Sequence, residues 1–206
     1  TYAMHELGNY LGIQDIEKIE GYDVSHFSGD NAVASCVVFS KQGPQKKNYR
    51  LFNIPAELSG NDIGSLEHVL ERRIKYYADP GLKPDVILID GGKNQLNFVN
   101  TTINKSDHHD IKVISIVKGS KRVRATETII SEDGIIELDK YSKAFLILQE
   151  IRDESHRFAI RAQRNKKRKK INQSELDSIK GIGEILKKRL LTKFKNIKNI
   201  KSVGIK

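Results

Sequence analysis

A short apolar run that ends in a carboxylate and two glycines limits the fold more than any other feature of this sequence. Residues 86–89 are all valine, isoleucine or leucine, and Asp90, Gly91 and Gly92 follow them directly. Such a continuous run is typical of a strand that is buried on both faces, in the centre of a sheet. The glycines allow the chain to turn sharply where the strand ends. We therefore expect Asp90 at the carboxyl edge of a central strand, where open α/β sheets bind ligands.

The pattern leaves two roles open for Asp90. A carboxylate at the end of a buried strand is costly unless a cation or hydrogen-bond donors satisfy it, which favours a ligand site. An aspartate directly before a helix can also be only the residue that caps that helix. Periodicity alone does not separate these two interpretations.

The rest of the chain predicts a mixed α/β fold. A short helix over 2–13 is followed by three strands, over 18–25, 32–40 and 47–54, close enough in sequence to pair as an antiparallel meander. After them come a helix over 62–78, a strand over 85–90, a helix over 94–103, a strand over 112–119, a small hairpin over 126–131 and 134–139, and a long helix over 141–164. Strands that alternate with helices favour a mixed sheet with helices on its faces.

The charge of the chain is divided unevenly along its length. The net charge is +10, but residues 157–206 hold 17 Lys+Arg against 3 Asp+Glu, whereas residues 1–156 hold 19 against 23. An acidic globule with a basic tail indicates a polyanionic partner, and nucleic acid is the natural candidate. A tail that only keeps the protein soluble is the alternative. No apolar run approaches the roughly 20 residues that cross a bilayer.

Cysteine usage and the start of the chain favour the cytoplasm. Cys36 is the one cysteine, so the sequence predicts neither an internal disulfide nor a zinc site of several thiolates. Its apolar neighbours predict a small buried side chain. The chain begins with Thr1 and carries no secretion signal, and we expect it to be a fragment of a longer protein from a reducing compartment.

Two more acidic residues and a histidine extend the candidate site. Asp23 lies inside a predicted strand, where aspartate is disfavoured. If that strand neighbours the one that ends at Asp90, the two carboxylates can hold one hard divalent cation, Mg²⁺ or Mn²⁺. Asp62 is more often a residue that starts a helix than a ligand. His156 lies on a polar face of the long helix, where histidine is usually solvated but can also bind metal or transfer protons near neutral pH.

Several features predict contacts with DNA phosphates. Lys93 follows the two glycines, although the full phosphate-loop pattern of nucleotide hydrolases is absent. A Gly-Ile-Gly turn between two helices can point backbone N–H groups at a phosphate, unless its glycines only end a helix. The basic run near residue 166 can track phosphates or be a solvated linker. The candidate contacts are Lys93, Arg157, Arg161, Lys166, Lys167, Arg168, Gly181, Gly183, Lys187 and Lys188.

Five ordered motifs resemble one known family. They are IEGYDVSH, VASCVVF, NDIGSLEHVLERR, DVILIDGGKNQL and IRDESHRFAI. Together they closely resemble the C-terminal half of the UvrC excinuclease subunit of bacterial nucleotide excision repair, over nearly all of residues 18–206. The resemblance implies a ribonuclease H-like endonuclease domain and tandem helix–hairpin–helix motifs. It further implies the 5′ incision beside a lesion in double-stranded DNA that UvrB presents, with UvrA acting upstream.

The resemblance also implies residue roles. It assigns catalysis to Asp23, Asp90 and His156, which would also bind Mg²⁺ or Mn²⁺, and it adds Asp62 as a further acidic position. The domain that makes the 3′ incision and the segment that docks on UvrB are expected to lie outside this sequence.

The expected domains follow from the same comparison. They are a helical lead-in over 1–17, the endonuclease domain over 18–165, a basic linker over 166–173 and a helix–hairpin–helix module over 174–206 with an incomplete second hairpin. Two alternative functions remain at this point: a non-catalytic DNA-binding or scaffold module, and another ribonuclease H-like nuclease such as a junction resolvase.

Overall fold

The structure, a computed structural model, describes residues 2–25, 32–118, 127–177, 179 and 181–203. The chain divides into two compact units, Thr1–Ala159 and Ile160–Lys206. The first unit contains the sheet with its covering helices, and the second is helical.

An eight-stranded mixed sheet forms the centre of the first unit. The strands are β1 Lys18–Ser25, β2 Val33–Ser40, β3 Gly43–Pro44, β4 Arg50–Asn53, β5 Val86–Asp90, β6 Lys112–Lys118, β7 Glu127–Ser131 and β8 Gly134–Ile136. Their order is β3-β2-β1-β5-β6-β7-β8, and β4 also pairs with β2. The central strands β1, β5 and β6 are parallel, and the flanking pairs are antiparallel.

Six α-helices accompany the sheet in the described residues. They are α1 Tyr2–Leu11, α2 Asp62–Arg73, α3 Lys93–Asn104, α4 Lys143–Asp177, α5 Glu184–Phe194 and α6 Ile197–Ser202. Short 3-10 turns lie at Lys46–Asn48, Ala56–Leu58 and Ile74–Tyr76. Met4 and Leu7 of α1 are buried in the same core as the sheet, so the predicted lead-in packs within the first unit.

The predicted mixed α/β fold is confirmed, including the antiparallel meander, since β2 pairs with both β1 and β4. The third predicted strand is shorter than expected, because Lys46–Asn48 forms a 3-10 turn and only Arg50–Asn53 pairs. The helix predicted over 62–78 ends at Arg73 and continues as a 3-10 turn. Residues 119 and 126, at the ends of predicted strands, lie outside the described residues.

The predicted end of the long helix near residue 164 is wrong. Helix α4 runs without a break from Lys143 to Asp177, so the segment 166–173, predicted to be a linker, is helical. The reason is local: lysine, arginine and glutamine are good helix formers, and neither glycine nor proline occurs between Lys143 and Gly181. A run of basic residues therefore does not by itself interrupt a helix.

Close packing between α4 and β1 requires a glycine. A Cβ atom added at Gly21 would lie 2.3 Å from Cγ2 of Ile151, so only glycine lets the helix approach the strand this closely. The hydroxyl of Ser35 on β2 donates to the carbonyl oxygen of Ser155 on α4 at 2.8 Å. These contacts fix the part of α4 that carries His156 against the strand that carries Asp23.

The opposite face of β1 holds a buried ion pair that the sequence analysis missed. Glu20 is fully buried and accepts hydrogen bonds from Arg73 of α2 and from the hydroxyls of Tyr22 and Tyr77. Burial raises the pKa of both tyrosines, which therefore stay protonated and donate. Cys36 is buried as predicted, and burial raises the pKa of its thiol as well.

Candidate active site

The register of the parallel strands brings Asp23 and Asp90 together. Strands β1 and β5 pair in parallel with Tyr22 opposite Ile89, and each of these residues directly precedes a carboxylate. Registered neighbours on parallel strands share a face of the sheet, so Asp23 and Asp90 lie side by side at its carboxyl edge. Asp23 is only 6% exposed, and Asp90 is half-buried.

His156 reaches Asp23, one member of this pair, from helix α4. Its Nδ1 lies 3.3 Å from Oδ2 of Asp23, while 54% of the His156 side chain stays exposed. The hydroxyl of Ser25 donates to the same carboxylate oxygen at 2.5 Å. One oxygen of Asp23 is thus held by two groups of the protein, and the imidazole lies between that carboxylate and solvent.

Asp62 lies near the turn that follows Asp90. The helix-capping role is filled by its neighbour, since the side chain of Asn61 accepts the N–H of Gly64 at 2.9 Å. Oδ2 of Asp62 instead accepts a hydrogen bond of 2.9 Å from the amide of Gln95. The same amide accepts the N–H of Gly92 at 2.6 Å. Gly92, not Asp90, is the N-cap of α3, so the capping alternative for Asp90 does not describe its position.

An open groove of about 560 Å³ lies beside these residues. It is lined by Gly60, Asn61, Asp62, Ile63, Gly92, Lys93, Asn94 and Gln95. Helices α2 and α3 both begin at this groove, and helix N-termini favour anions. Lys93 is exposed and lines this groove.

Comparison with known proteins connects this geometry to a family. The family described as "UvrC RNAse H endonuclease domain" matches residues 8–160, a range that contains Asp23, Asp62, Asp90 and His156. The chain belongs to this family. The expected ribonuclease H-like fold is therefore confirmed together with the family resemblance.

Curated relatives of the UvrC family extend the match beyond the endonuclease domain. UvrABC system protein C of Legionella pneumophila is 40% identical over 189 residues, which are 91% of this chain and 31% of that protein. UvrABC system protein C of Pseudoalteromonas translucida is 38% identical over 198 residues, covering 95% and 33%. The chain thus spans about a third of the length of these relatives. Among solved structures, human ENDOV is 22% identical with a TM-score of 0.39, over 52% of this chain and 48% of that one.

The donor set of this UvrC-family site fits a hard divalent cation. Among the described residues, no three His, Cys, Asp or Glu side chains form a ready metal cluster. Mg²⁺ does not require one, because it keeps several waters and commonly binds through one or two carboxylates together with substrate phosphates. Asp23 and Asp90 supply two carboxylates on adjacent strands, which meets that requirement. His156 contacts Asp23 directly, so its predicted role as a metal ligand stays a prediction.

The second unit contains the predicted glycine turn. Gly181 has a φ of +93°, which only glycine adopts easily, and Gly183 is the N-cap of α5. The N–H of Ile182 donates to the carbonyl oxygen of Ile179 at 3.2 Å, which tightens the turn. Residues 204–206, where the second hairpin is expected to break off, lie outside the described residues.

Exposure distinguishes Lys187 from the other predicted cationic DNA contacts of α4 and α5. Lys187 is only 6% exposed and pairs with Glu184 at 2.6 Å, so its ammonium group faces a side chain of its own helix. Lys188, the next residue, is exposed. The predicted cations of α4 are all exposed: Arg157, Arg161, Lys166, Lys167 and Arg168.

None of the described helices combines the length and apolar character that crossing a membrane requires.

Sequence reasoning missed three residues that organise the site: Gly21, Ser25 and Gln95. Ser25 had a detectable signal, because it lies two positions after Asp23 on the same strand and therefore on the same face. Gln95 is the third residue of α3, where a glutamine can bond back to the N-cap N–H. Its second bond, to Asp62 from a different helix, has no counterpart in a local pattern.

Proposed function

We propose that this chain is a divalent-metal-dependent DNA endonuclease that makes the 5′ incision in bacterial nucleotide excision repair, in the cytoplasm. One observation carries the proposal: two carboxylates on adjacent parallel strands, Asp23 and Asp90, lie at the carboxyl edge of the sheet with His156 against one of them. The names of the UvrABC system relatives support the repair pathway. The relatives are about three times longer than this chain, so the assignment of their activity to it is our inference.

Asp23 and Asp90 would hold Mg²⁺ or Mn²⁺ through their carboxylate oxygens. Such an ion, when bound, activates water and stabilises the charge that develops on phosphate oxygens. Burial of Asp23 favours this role, because a carboxylate 6% exposed gains most from a cation. The half-buried Asp90 lies where the edge opens toward substrate.

His156 has the position of a proton-transfer group. When Nδ1 donates to Oδ2 of Asp23, the proton lies on that nitrogen and Nε2 can accept one. The exposed imidazole can then take a proton from water as the water oxygen bonds to phosphorus and the P–O bond to the departing sugar oxygen breaks. The departing oxygen takes a proton from solvent, and Asp23 stabilises the imidazolium. Ser25 keeps the shared carboxylate oxygen in place during this step.

Damaged double-stranded DNA is the proposed substrate, presented by UvrB after UvrA has acted. Lys93 lies at the groove beside Asp62 and can contact a phosphate close to the bond that is cut. The exposed cations of α4 and the glycine turn before α5 add contacts that do not depend on sequence. The proposed domain boundaries, 18–165 and 174–206, separate these two functions.

A nicking assay tests the proposal. Supercoiled plasmid carrying random lesions is incubated with the 206-residue chain and Mn²⁺, and conversion to the open circle is followed. We expect wild type to nick and Asp90→Asn to lose the activity. Asp133→Asn removes an exposed carboxylate in the β7–β8 turn and should nick like wild type. Equal nicking by wild type and Asp90→Asn would overturn the assignment.

A non-catalytic DNA-binding module is the second candidate. Two observations favour it: the exposed cations of α4, and the lack of a ready three-residue metal cluster among the described residues. Binding without cutting requires neither Asp23 nor Asp90. In that case Mn²⁺ should leave the melting temperature unchanged in wild type and in Asp23→Asn alike. Another nuclease activity, such as junction resolution, would appear as preferred cutting of four-way junctions over lesion-bearing duplex.

A further inference from the structure

Gln95 joins two parts of the site that the sequence places 33 residues apart. Its Nε2 donates to Oδ2 of Asp62 at 2.9 Å, and its Oε1 accepts the N–H of Gly92 at 2.6 Å. Asp62 begins α2, whereas Gly92 belongs to the turn that leaves Asp90 and begins α3. A single amide therefore ties the carboxylate of Asp62 to the turn two residues beyond Asp90.

The turn is also shaped around this amide. A Cβ atom at Gly91 would lie 2.0 Å from Oε1 of Gln95, so a larger residue at this position would displace the glutamine side chain. On the other side of the turn, the hydroxyl of Ser115 on β6 donates to the carbonyl oxygen of Gly91 at 2.5 Å. Ser115 and Gln95 thus hold the same peptide group, Gly91–Gly92, from opposite sides, one at its carbonyl and one at its N–H.

We propose that Gln95 is a positioning residue that holds Asp62 in the active site by linking its carboxylate to the turn after Asp90. The proposal rests on the proposed nuclease function. A glutamine that only capped α3 would need the bond to Gly92 alone. The second bond, to a carboxylate on another helix, links Asp62 to the turn after Asp90 and gives a role to an acidic side chain that is not the cap of its own helix.

Gln95→Glu separates capping from positioning. A glutamate still accepts the N–H of Gly92, so the cap is kept, but it cannot donate to Asp62 and places a second negative charge beside it. We expect kcat for plasmid nicking to fall about tenfold, since small displacements of catalytic groups have effects of this order or larger. The KM for DNA should stay within about twofold of wild type, because no phosphate contact is removed.

Asn97→Glu is the matched control, since it introduces the same charge on the same helix at an exposed position. It should nick like wild type. Gly91→Ala displaces Gln95 without changing any functional group and should reproduce the loss of kcat. The melting temperatures and Mn²⁺-induced shifts of all variants show whether the fold and the metal site remain intact.

A double-mutant cycle decides whether Gln95 acts through Asp62. We expect Asp62→Asn to reduce kcat and Gln95→Glu to add no further loss in that background, because coupled residues are not additive. Equal nicking by Gln95→Glu and Asn97→Glu would overturn the proposal and leave Gln95 as a cap. A full further loss in the Asp62→Asn background would overturn it as well. If wild type does not nick at all, the nuclease function itself is refuted. That result differs from the two above, in which wild type nicks but the variants do not behave as expected.

Discussion

Strand β1 carries two buried carboxylates that face opposite sides of the sheet and have very different partners. Glu20 receives the guanidinium of Arg73 and the hydroxyls of Tyr22 and Tyr77. Asp23, three residues later, receives a serine hydroxyl and an exposed imidazole, and no lysine or arginine pairs with it among the described residues. Both carboxylates are removed from water, but within the described part of the chain only Glu20 has a guanidinium that neutralises its charge.

This difference separates a structural carboxylate from one that is available to a ligand. A buried ion pair with further hydrogen bonds has satisfied its charge and leaves no site for a metal ion. A buried carboxylate with neutral partners keeps its demand for a cation. The locations of the two carboxylates agree with these different roles. Asp23 lies at the carboxyl edge of the sheet beside Asp90, whereas Glu20 lies under the C-terminal part of α2.

The largest expected effect is that of Asp23→Asn on cutting. Removing a carboxylate that we propose to bind the metal should lower the nicking rate by about a thousandfold or more, since such interactions supply several kcal/mol in the transition state. Stability should not fall, because the variant relieves a buried charge that lacks a cation. Plasmid nicking with Mn²⁺ and urea denaturation of the same preparations measure the two effects. A loss of stability equal to that of a core mutation would mean that Asp23 is structural after all.

On the other face of β1, a substitution at the Glu20–Arg73 pair is expected to reduce stability. Arg73→Met should leave Glu20 buried without its cation and destabilise the fold by about 3–5 kcal/mol, measured by urea denaturation. Lys83→Met is the control, because it breaks an exposed pair with Asp110 and should cost no more than about 1 kcal/mol. Should the two variants lose equal stability, the buried pair would not be the strong constraint that its contacts indicate.

The two carboxylates also show how far the sequence could predict this molecule. Asp90 was recognisable because an apolar run and two glycines mark the end of a buried strand, and Asp23 because aspartate is unusual within one. That the two strands are neighbours depends on the order of the sheet, which alternation and propensity do not determine. The family motifs pointed to the same residues, and the structure supplied the register that brings them together.

Other contacts could not be predicted from the sequence because they join segments that are distant along the chain. Glu20 and Arg73 are 53 residues apart, and a glutamate in a strand next to an arginine in a helix gives no local signal of a pair. The same holds for Gln95 and Asp62, 33 residues apart. The end of α4 differs from the prediction for another reason: a run of charge is typical of linkers, but its residues favour a helix.

A smaller effect is expected where α4 crosses the active face of β1. Gly21→Ala places a methyl group 2.3 Å from Cγ2 of Ile151, and overpacking of this kind costs about 1–3 kcal/mol. Because α4 must then move away from β1, the distance between His156 and Asp23 should grow and the nicking rate should fall along with stability. Gly8→Ala, which would meet the carbonyl oxygen of Ile13, is the comparison: it should reduce stability without the same loss of nicking. An equal loss of nicking at matched stability would remove the special role of Gly21.

The smallest expected effect is on the affinity for duplex DNA, and it should differ between two adjacent lysines of the second unit. Lys188 is exposed, and Lys188→Ala should weaken duplex binding a few-fold and reduce the slope of log K against log salt by about 1, as expected for one lost phosphate contact. Lys187 is 6% exposed and paired with Glu184, so Lys187→Ala should leave that slope unchanged. Fluorescence anisotropy of a labelled duplex between 50 and 200 mM salt, roughly the range where such slopes are resolved, measures both variants. Lys187 thus resembles Glu20 of β1, because a charge that is paired within the protein is not available to a ligand. A salt slope that drops for Lys187→Ala and not for Lys188→Ala would contradict it.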